Sequence, residues 1–91
     1  MKDKLLLSVR LPATLERYQL LMPYDLLVKE GANLAARILA NREQTRYEAT
    51  SEVELMYLEG PTSGELINPN ETFRSLMLQR MLVEGSEVML V

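Results

Sequence analysis

The residue types that most often carry enzyme chemistry are missing from this chain. Its 91 residues include neither cysteine nor histidine. A thiolate nucleophile, a disulfide, a histidine metal site and a catalytic triad that uses histidine are therefore excluded. We accordingly expect no catalytic residue, no metal-binding residue, no cofactor and no enzymatic activity.

The remaining candidates for acid–base chemistry are carboxylates. Glu52 and Glu54 are two residues apart at the start of a predicted strand and so share one face. Such a pair could share a proton or bind a cation. We favour the simpler interpretation, a solvated strand face that discourages edge pairing. The loop "EGPTSGE" at 59–65 lacks the lysine and the spacing of a phosphate-binding loop and predicts a plain turn.

Composition limits the classes of partner. The net charge is −3, from ten basic and thirteen acidic residues, which argues against a nucleic-acid partner. Arg37, Arg42 and Arg46 lie on or just after a predicted helix, where they favour solubility and interact favourably with the negative C-terminal end of the helix dipole. No apolar run approaches the roughly 20 residues of a membrane span. These features predict a single cytoplasmic domain over residues 1–91 without direct membrane insertion.

Apolar periodicity predicts the elements that must position any functional residue. Alternation predicts strands over 4–11, 16–22, 53–58 and 87–91, with a short edge strand at 65–67. Helical spacing predicts a helix over 28–42 that contacts the sheet through Val28, Leu34 or Ala35, and Ile38. A second helix begins after a cap at Asn68 or Thr72. The order β-β-α-β-β-α-β predicts an α+β fold with one sheet covered by the long helix.

The strands carry more apolar residues than one covered face requires. We assign one face to the core: Leu5, Leu7, Val9, Leu55, Tyr57, Val88 and Leu90. The opposite face then carries a second apolar set: Leu6, Met56, Leu58, Met89 and Val91. A large exposed apolar patch usually marks an interface, and methionine suits adaptable binding surfaces. Alternatively, the third strand is one residue out of register, or the second helix covers part of this face.

The C-terminal stretch "TFRSLMLQRMLVEGSEVMLV" carries a family resemblance. A threonine is followed by a short helix, and Leu82, Gly85, Val88 and Leu90 then stand at the positions of a closing turn and strand. Together with the opening hairpin and helix, this stretch resembles the ubiquitin-like β-grasp fold. That resemblance implies a mixed sheet in which the first and last strands lie parallel in the centre. Among bacterial members, the chain most resembles the YukD-like family, which is associated with type VII (WXG-type) secretion.

The resemblance also implies a function. Ubiquitin-like proteins commonly bind partners through the exposed face of the sheet, so the apolar set above is the expected interface. The expected partner is another protein, such as a secretion-system component, or a second copy of this chain. The printed sequence stops at Val91 without the Gly-Gly tail of conjugated or sulfur-carrier members. We therefore favour a non-catalytic protein-interaction module that serves a type VII-like secretion system; the alternative is a ubiquitin-like or sulfur-carrier protein that lacks its Gly-Gly tail.

Overall fold

The computed structural model describes residues 3–12, 16–42 and 53–91. Its elements follow the predicted order closely. They are strands β1 (Lys4–Arg10) and β2 (Arg17–Pro23), helix α1 (Val28–Arg42), strand β3 (Leu55–Tyr57), helix α2 (Phe73–Leu78) and strand β4 (Ser86–Leu90). The predicted edge strand at 65–67 is reduced to one bridge, between Leu66 and Met56.

The four strands form one mixed sheet in the order β2-β1-β4-β3. β1 pairs antiparallel with β2 and parallel with β4, while β3 pairs antiparallel with β4. The first and last strands therefore lie side by side in the centre, which confirms the arrangement that the resemblance implies. Because β4 is central, its residues are shielded by strands on both sides as well as by the core.

The predicted core face is confirmed. The seven residues assigned to it, Leu5, Leu7, Val9, Leu55, Tyr57, Val88 and Leu90, are all buried. The residues that alternate with them along the strands lie on the opposite side of the sheet, which faces away from this core. We call this side the outer face. The third strand is therefore in the predicted register, with Leu55 and Tyr57 inward and Met56 outward.

Helix α1 packs on the sheet through a stripe that includes Val28 and Ala35, as predicted. The buried stripe comprises Val28, Ala32, Ala35 and Leu39. These positions are spaced by four, three and four residues, as the helical repeat requires for a single face. Ile38 lies at the edge of this stripe and is only half-buried. Ile38 packs against the core from this position, whereas Leu39 beside it is fully buried and lies at the centre of the contact.

Helix α2 begins later and is shorter than the sequence suggested. The Thr72 hydroxyl caps it by accepting the Ser75 N–H at 3.1 Å. Asn68, the other candidate cap, instead closes a turn by accepting the Asn70 N–H at 3.0 Å. The helix then ends after Leu78, because Arg80 adopts the left-handed conformation with φ 60°.

Candidate functional site on the outer face of the sheet

The predicted interface residues Met56 and Met89 meet on the outer face of the sheet. They are register partners across β3 and β4, and both are half-buried. Leu66 extends this row, since it bridges Met56 from the other side and is 51% exposed. Leu66 was not among the predicted interface residues because a three-residue edge segment shows no usable alternation.

Two further predicted residues lie beside these methionines. The Val91 and Glu54 backbones exchange hydrogen bonds of 2.9 Å, and the Leu58 N–H donates to the Glu87 carbonyl at 3.3 Å. These bonds continue the ladder between β3 and β4 at both ends, so Leu58 and Val91 face outward with Met56 and Met89. Leu58 is half-buried and Val91 is 43% exposed. We call Met56, Leu58, Leu66, Met89 and Val91 the methionine cluster.

The fifth predicted residue, Leu6, lies elsewhere on the same face. Its register partner is Leu21 of β2, which is 58% exposed and which the sequence reasoning did not select. Arg10, four residues after Leu6 on the same strand, is the residue opposite Met89. The outer face therefore carries two apolar regions, the methionine cluster and the pair Leu6–Leu21, rather than one continuous patch.

An ionic cluster separates these two regions. The Glu87 carboxylate accepts a hydrogen bond of 3.0 Å from the Arg17 guanidinium, and Arg10 Nε lies 3.6 Å from the same oxygen. The backbone N–H of Glu87 donates to the Glu59 carboxylate at 2.8 Å. Arg17 thus reaches from β2 over β1 to β4. Strand alternation places these charges on the outer face, but only the order of strands shows that they converge.

Two grooves lie near the methionine cluster, and each contains exposed apolar residues beside polar ones. Leu66 and Met81 line one groove of about 310 Å³, and Met81 and Val83 line a neighbouring groove of about 540 Å³. Met81 and Val83 are both exposed. Tyr57 lies in the first groove, and its burial raises the pKa of its hydroxyl, so it stays neutral at physiological pH.

The carboxylate pair considered for chemistry is described only in part. Glu54 is exposed beside Val91, whereas Glu52 lies outside the described residues. The loop at 59–65 is a turn, in which the Ser63 N–H donates to the Gly60 carbonyl at 3.1 Å. Across residues 3–12, 16–42 and 53–91, no group of three or more histidine, cysteine or acidic residues is placed to hold a metal ion. In the same ranges, no helix has the length and apolar character needed to cross a membrane.

The three arginines of the helical region cannot be placed together. Arg37 is exposed on α1. The side chain of Arg42 and the whole of Arg46 lie outside the described part of the chain. A basic ligand site at the end of α1 therefore has no support among the described residues.

Comparison of the sequence with protein families and with curated proteins gives no match. Solved structures do match in fold. The ubiquitin-like domain of the Mycobacterium tuberculosis type VII secretion system protein EccD1 aligns with TM-score 0.69 at 10% identity, covering 99% of each chain. A chain of the MycP5-free ESX-5 inner membrane complex aligns with TM-score 0.76 at 10% identity, covering 99% of this chain and 21% of that one.

A third match comes from an enzyme complex. A chain of the toluene 4-monooxygenase HD complex with the inhibitor 4-bromobenzoate aligns with TM-score 0.69 at 12% identity, covering 97% of this chain and 96% of that one. At these identities the matches establish a shared fold. The chain has the ubiquitin-like β-grasp fold, as its closing motif predicted.

Proposed function

We propose that this chain is a non-catalytic protein-interaction module that binds a protein partner through its methionine cluster. The observation that carries the proposal is the row Met89–Met56–Leu66, in which half-buried methionines lie beside a leucine that is 51% exposed. An apolar row on the solvent side of a sheet has no role in this domain's own core. Its methionines can adapt their shape to a partner surface.

We further infer that the partner belongs to a type VII-like secretion system and that the chain acts there as a cytoplasmic accessory component. Support comes from the resemblance of the chain to the YukD-like family, which rests on its small size, its lack of cysteine and its Gly-acidic-apolar ending. It also comes from the shared fold of the EccD1 ubiquitin-like domain and of the ESX-5 chain. The inference has a genomic test: a membrane ATPase gene and a gene for a small WXG-type protein should lie beside the gene for this chain.

The double variant Met56→Ser, Met89→Ser tests the interface. Complete burial of one such side chain contributes about 1.5–3 kcal/mol, and each is already half-buried, so a partner adds about half of that per methionine. Their joint loss should weaken binding at least tenfold, which corresponds to about 1.4 kcal/mol. The assay is calorimetric titration against the purified cytoplasmic domain of the neighbouring secretion ATPase.

Leu21→Ser is the matched control, since Leu21 is equally apolar and lies on the same face beyond the ionic cluster. Circular dichroism should show both variants folded. Equal affinity of the double variant and the native chain for a partner that does bind would remove the methionine cluster as the interface. Loss of the fold in the double variant would instead give these methionines a structural role.

The competing hypothesis from the sequence is a ubiquitin-like or sulfur-carrier protein. Conjugation and sulfur transfer need a C-terminal Gly-Gly beyond the last strand, because the carboxyl group of the final glycine is the group that is activated. The 3′ end of the natural gene decides between the two hypotheses. An encoded Gly-Gly tail, together with adenylation of the protein by an activating enzyme, would favour the carrier.

A further inference from the structure

The two edges of the sheet differ in how they are covered. The strand order makes β2 and β3 the edge strands. At the β3 edge, the Tyr57 N–H donates to the Glu65 carbonyl at 2.9 Å and the Ile67 N–H donates to the Leu55 carbonyl at 2.8 Å. Residues 65–67 thus cover that edge. Within the described residues, no strand pairs with the outer side of β2.

The backbone groups on the open side of β2 can be identified from the register. The Tyr24 N–H donates to the Asp3 carbonyl at 2.9 Å, so these two residues form a hydrogen-bonded pair. Such pairs alternate along an antiparallel ladder. Arg17, Gln19 and Leu21 therefore occupy the intervening positions, and their N–H and C=O groups point away from β1.

The usual protections of an edge strand are weak on β2. Natural edges are guarded by outward charges, bulges, proline or short length. β2 has seven residues in unbroken register with β1 and carries a single charged side chain, Arg17. That side chain bends inward over the sheet to Glu87, at 3.0 Å. Proline occurs only at the last position, Pro23. Between them, Gln19 and Leu21 are exposed.

We propose that two copies of this chain pair antiparallel through β2 about a twofold axis at Gln19, joining two four-stranded sheets into one. Such an interface is isologous, so each residue must suit its own opposite. Gln19 lies opposite its own copy, and its amide offers both a donor and an acceptor. Arg17 lies opposite Leu21 of the second copy, so no like charges face each other across the pair.

Two alternative registers centred on outward-pointing residues are worse. A twofold at Leu21 places Gln19 opposite Pro23, which has no N–H to donate. A twofold at Arg17 places two like charges opposite each other, which is destabilising. The register centred on Gln19 uses all three outward-pointing residues and avoids both defects. This edge lies across the sheet from the methionine cluster, so pairing leaves the proposed partner site open.

A single introduced cysteine tests the register directly, because the chain has no cysteine of its own. Hydrogen-bonded antiparallel partners have Cα atoms about 5.5 Å apart, a distance that a disulfide spans. Gln19→Cys should therefore form a covalent dimer under mild oxidation at hundreds of micromolar protein. Lys29→Cys, at an exposed position on α1, is the matched control and should form little covalent dimer under the same conditions.

Proline at the same position tests the backbone pairing. Gln19→Pro removes an N–H that points outward and none that bonds β1, so the fold should survive. Sedimentation equilibrium should show dimer affinity reduced at least tenfold in Gln19→Pro, whereas Gln19→Ala, which keeps the N–H, should stay within about threefold of the native chain. If circular dichroism shows Gln19→Pro unfolded, Leu21→Lys replaces it, since it places like charges across the proposed pair.

Several results would overturn this proposal. A native chain that stays monomeric at hundreds of micromolar would do so, as would equal cross-linking of the two cysteine variants. A native dimer that is disrupted by Met56→Ser, Met89→Ser and not by Gln19→Pro would assign the contact to the methionine cluster. Calorimetric titration of the native chain and of Met56→Ser, Met89→Ser against the secretion ATPase domain tests the methionine cluster independently of these results, so the two proposals fail separately.

Discussion

Replacing Gly31 by alanine should destabilise this protein, although the same change stabilises most helices. Gly31 lies in the first turns of α1, against the ring of Phe73 at the start of α2. A Cβ at Gly31 would lie 2.6 Å from Phe73 Cε2 and Cζ and 3.4 Å from the Met22 sulfur. Phe73 is fully buried, so its ring cannot swing into solvent.

The expected magnitude is the difference between two effects. Alanine is favoured over glycine inside a helix by about 0.5–1 kcal/mol. Forcing an extra carbon into a packed site costs about 1–3 kcal/mol, because the ring or the helix must shift. The net result is a loss of about 1 kcal/mol from the free energy of unfolding, which corresponds to a melting temperature lower by about 4–8 °C for a domain of this size.

Urea denaturation of Gly31→Ala measures the loss, with Asn33→Ala as the matched control. Asn33 is exposed on the same helix, so alanine at this position improves the helix propensity without causing a clash. The substitution should therefore raise the free energy of unfolding slightly. Gly31→Ala should cost less stability in a chain that already carries Phe73→Leu than it does in the native chain, because the smaller side chain relieves the clash. A double-mutant cycle detects this difference. If Gly31→Ala stabilises the protein as Asn33→Ala does, that result would contradict the close contact between Gly31 and the Phe73 ring.

Three further predictions follow from the helix contacts. Leu39→Ala should cost about 2–5 kcal/mol in urea denaturation and half-buried Ile38→Ala clearly less; the reverse order would contradict the observed helix phase. Arg80→Gly should raise the free energy of unfolding by about 0.5–1 kcal/mol, because glycine relieves the left-handed backbone with φ 60°; a lower melting temperature would refute this. Hydrogen bonds from Arg74 lower the pKa of Asp25 from its ordinary value of 3.8, so the stabilisation is complete above that pH and is lost as the pH falls through the lowered value. The stability difference between the native chain and Arg74→Met should therefore shrink in acid, and a difference independent of pH would contradict the pairing.

The sequence predicted the fold because strand and helix periods differ. Alternation in "KLLLSVRL" and "VELMYL" assigned Leu5, Leu7, Val9, Leu55 and Tyr57 to the core, and all are buried. A period of two leaves only two choices of face, and the excess of apolar residues on one face selects between them. The closing motif then supplied the central parallel strand, which periodicity alone could not.

Helix details were less well determined. A helix advances by 100° per residue, so neighbouring apolar residues such as Ile38 and Leu39 compete for the same stripe, and only contact with the sheet decides between them. The cap of α2 posed a similar choice between Asn68 and Thr72, since both side chains satisfy the local pattern. The observed hydrogen bond from the Ser75 N–H to the Thr72 hydroxyl settles it.

The candidate interface divides in the same way. Alternation placed Leu6, Met56, Leu58, Met89 and Val91 on the outer face, and the structure places them there. Only the tertiary structure brought Leu66 beside Met56 and set Arg17, Arg10 and Glu87 between Leu6 and the methionines. Sequence period determines which face a side chain occupies, because that depends on its own strand alone. Its neighbours on that face depend on strand order and register, which residues distant in the sequence determine by pairing.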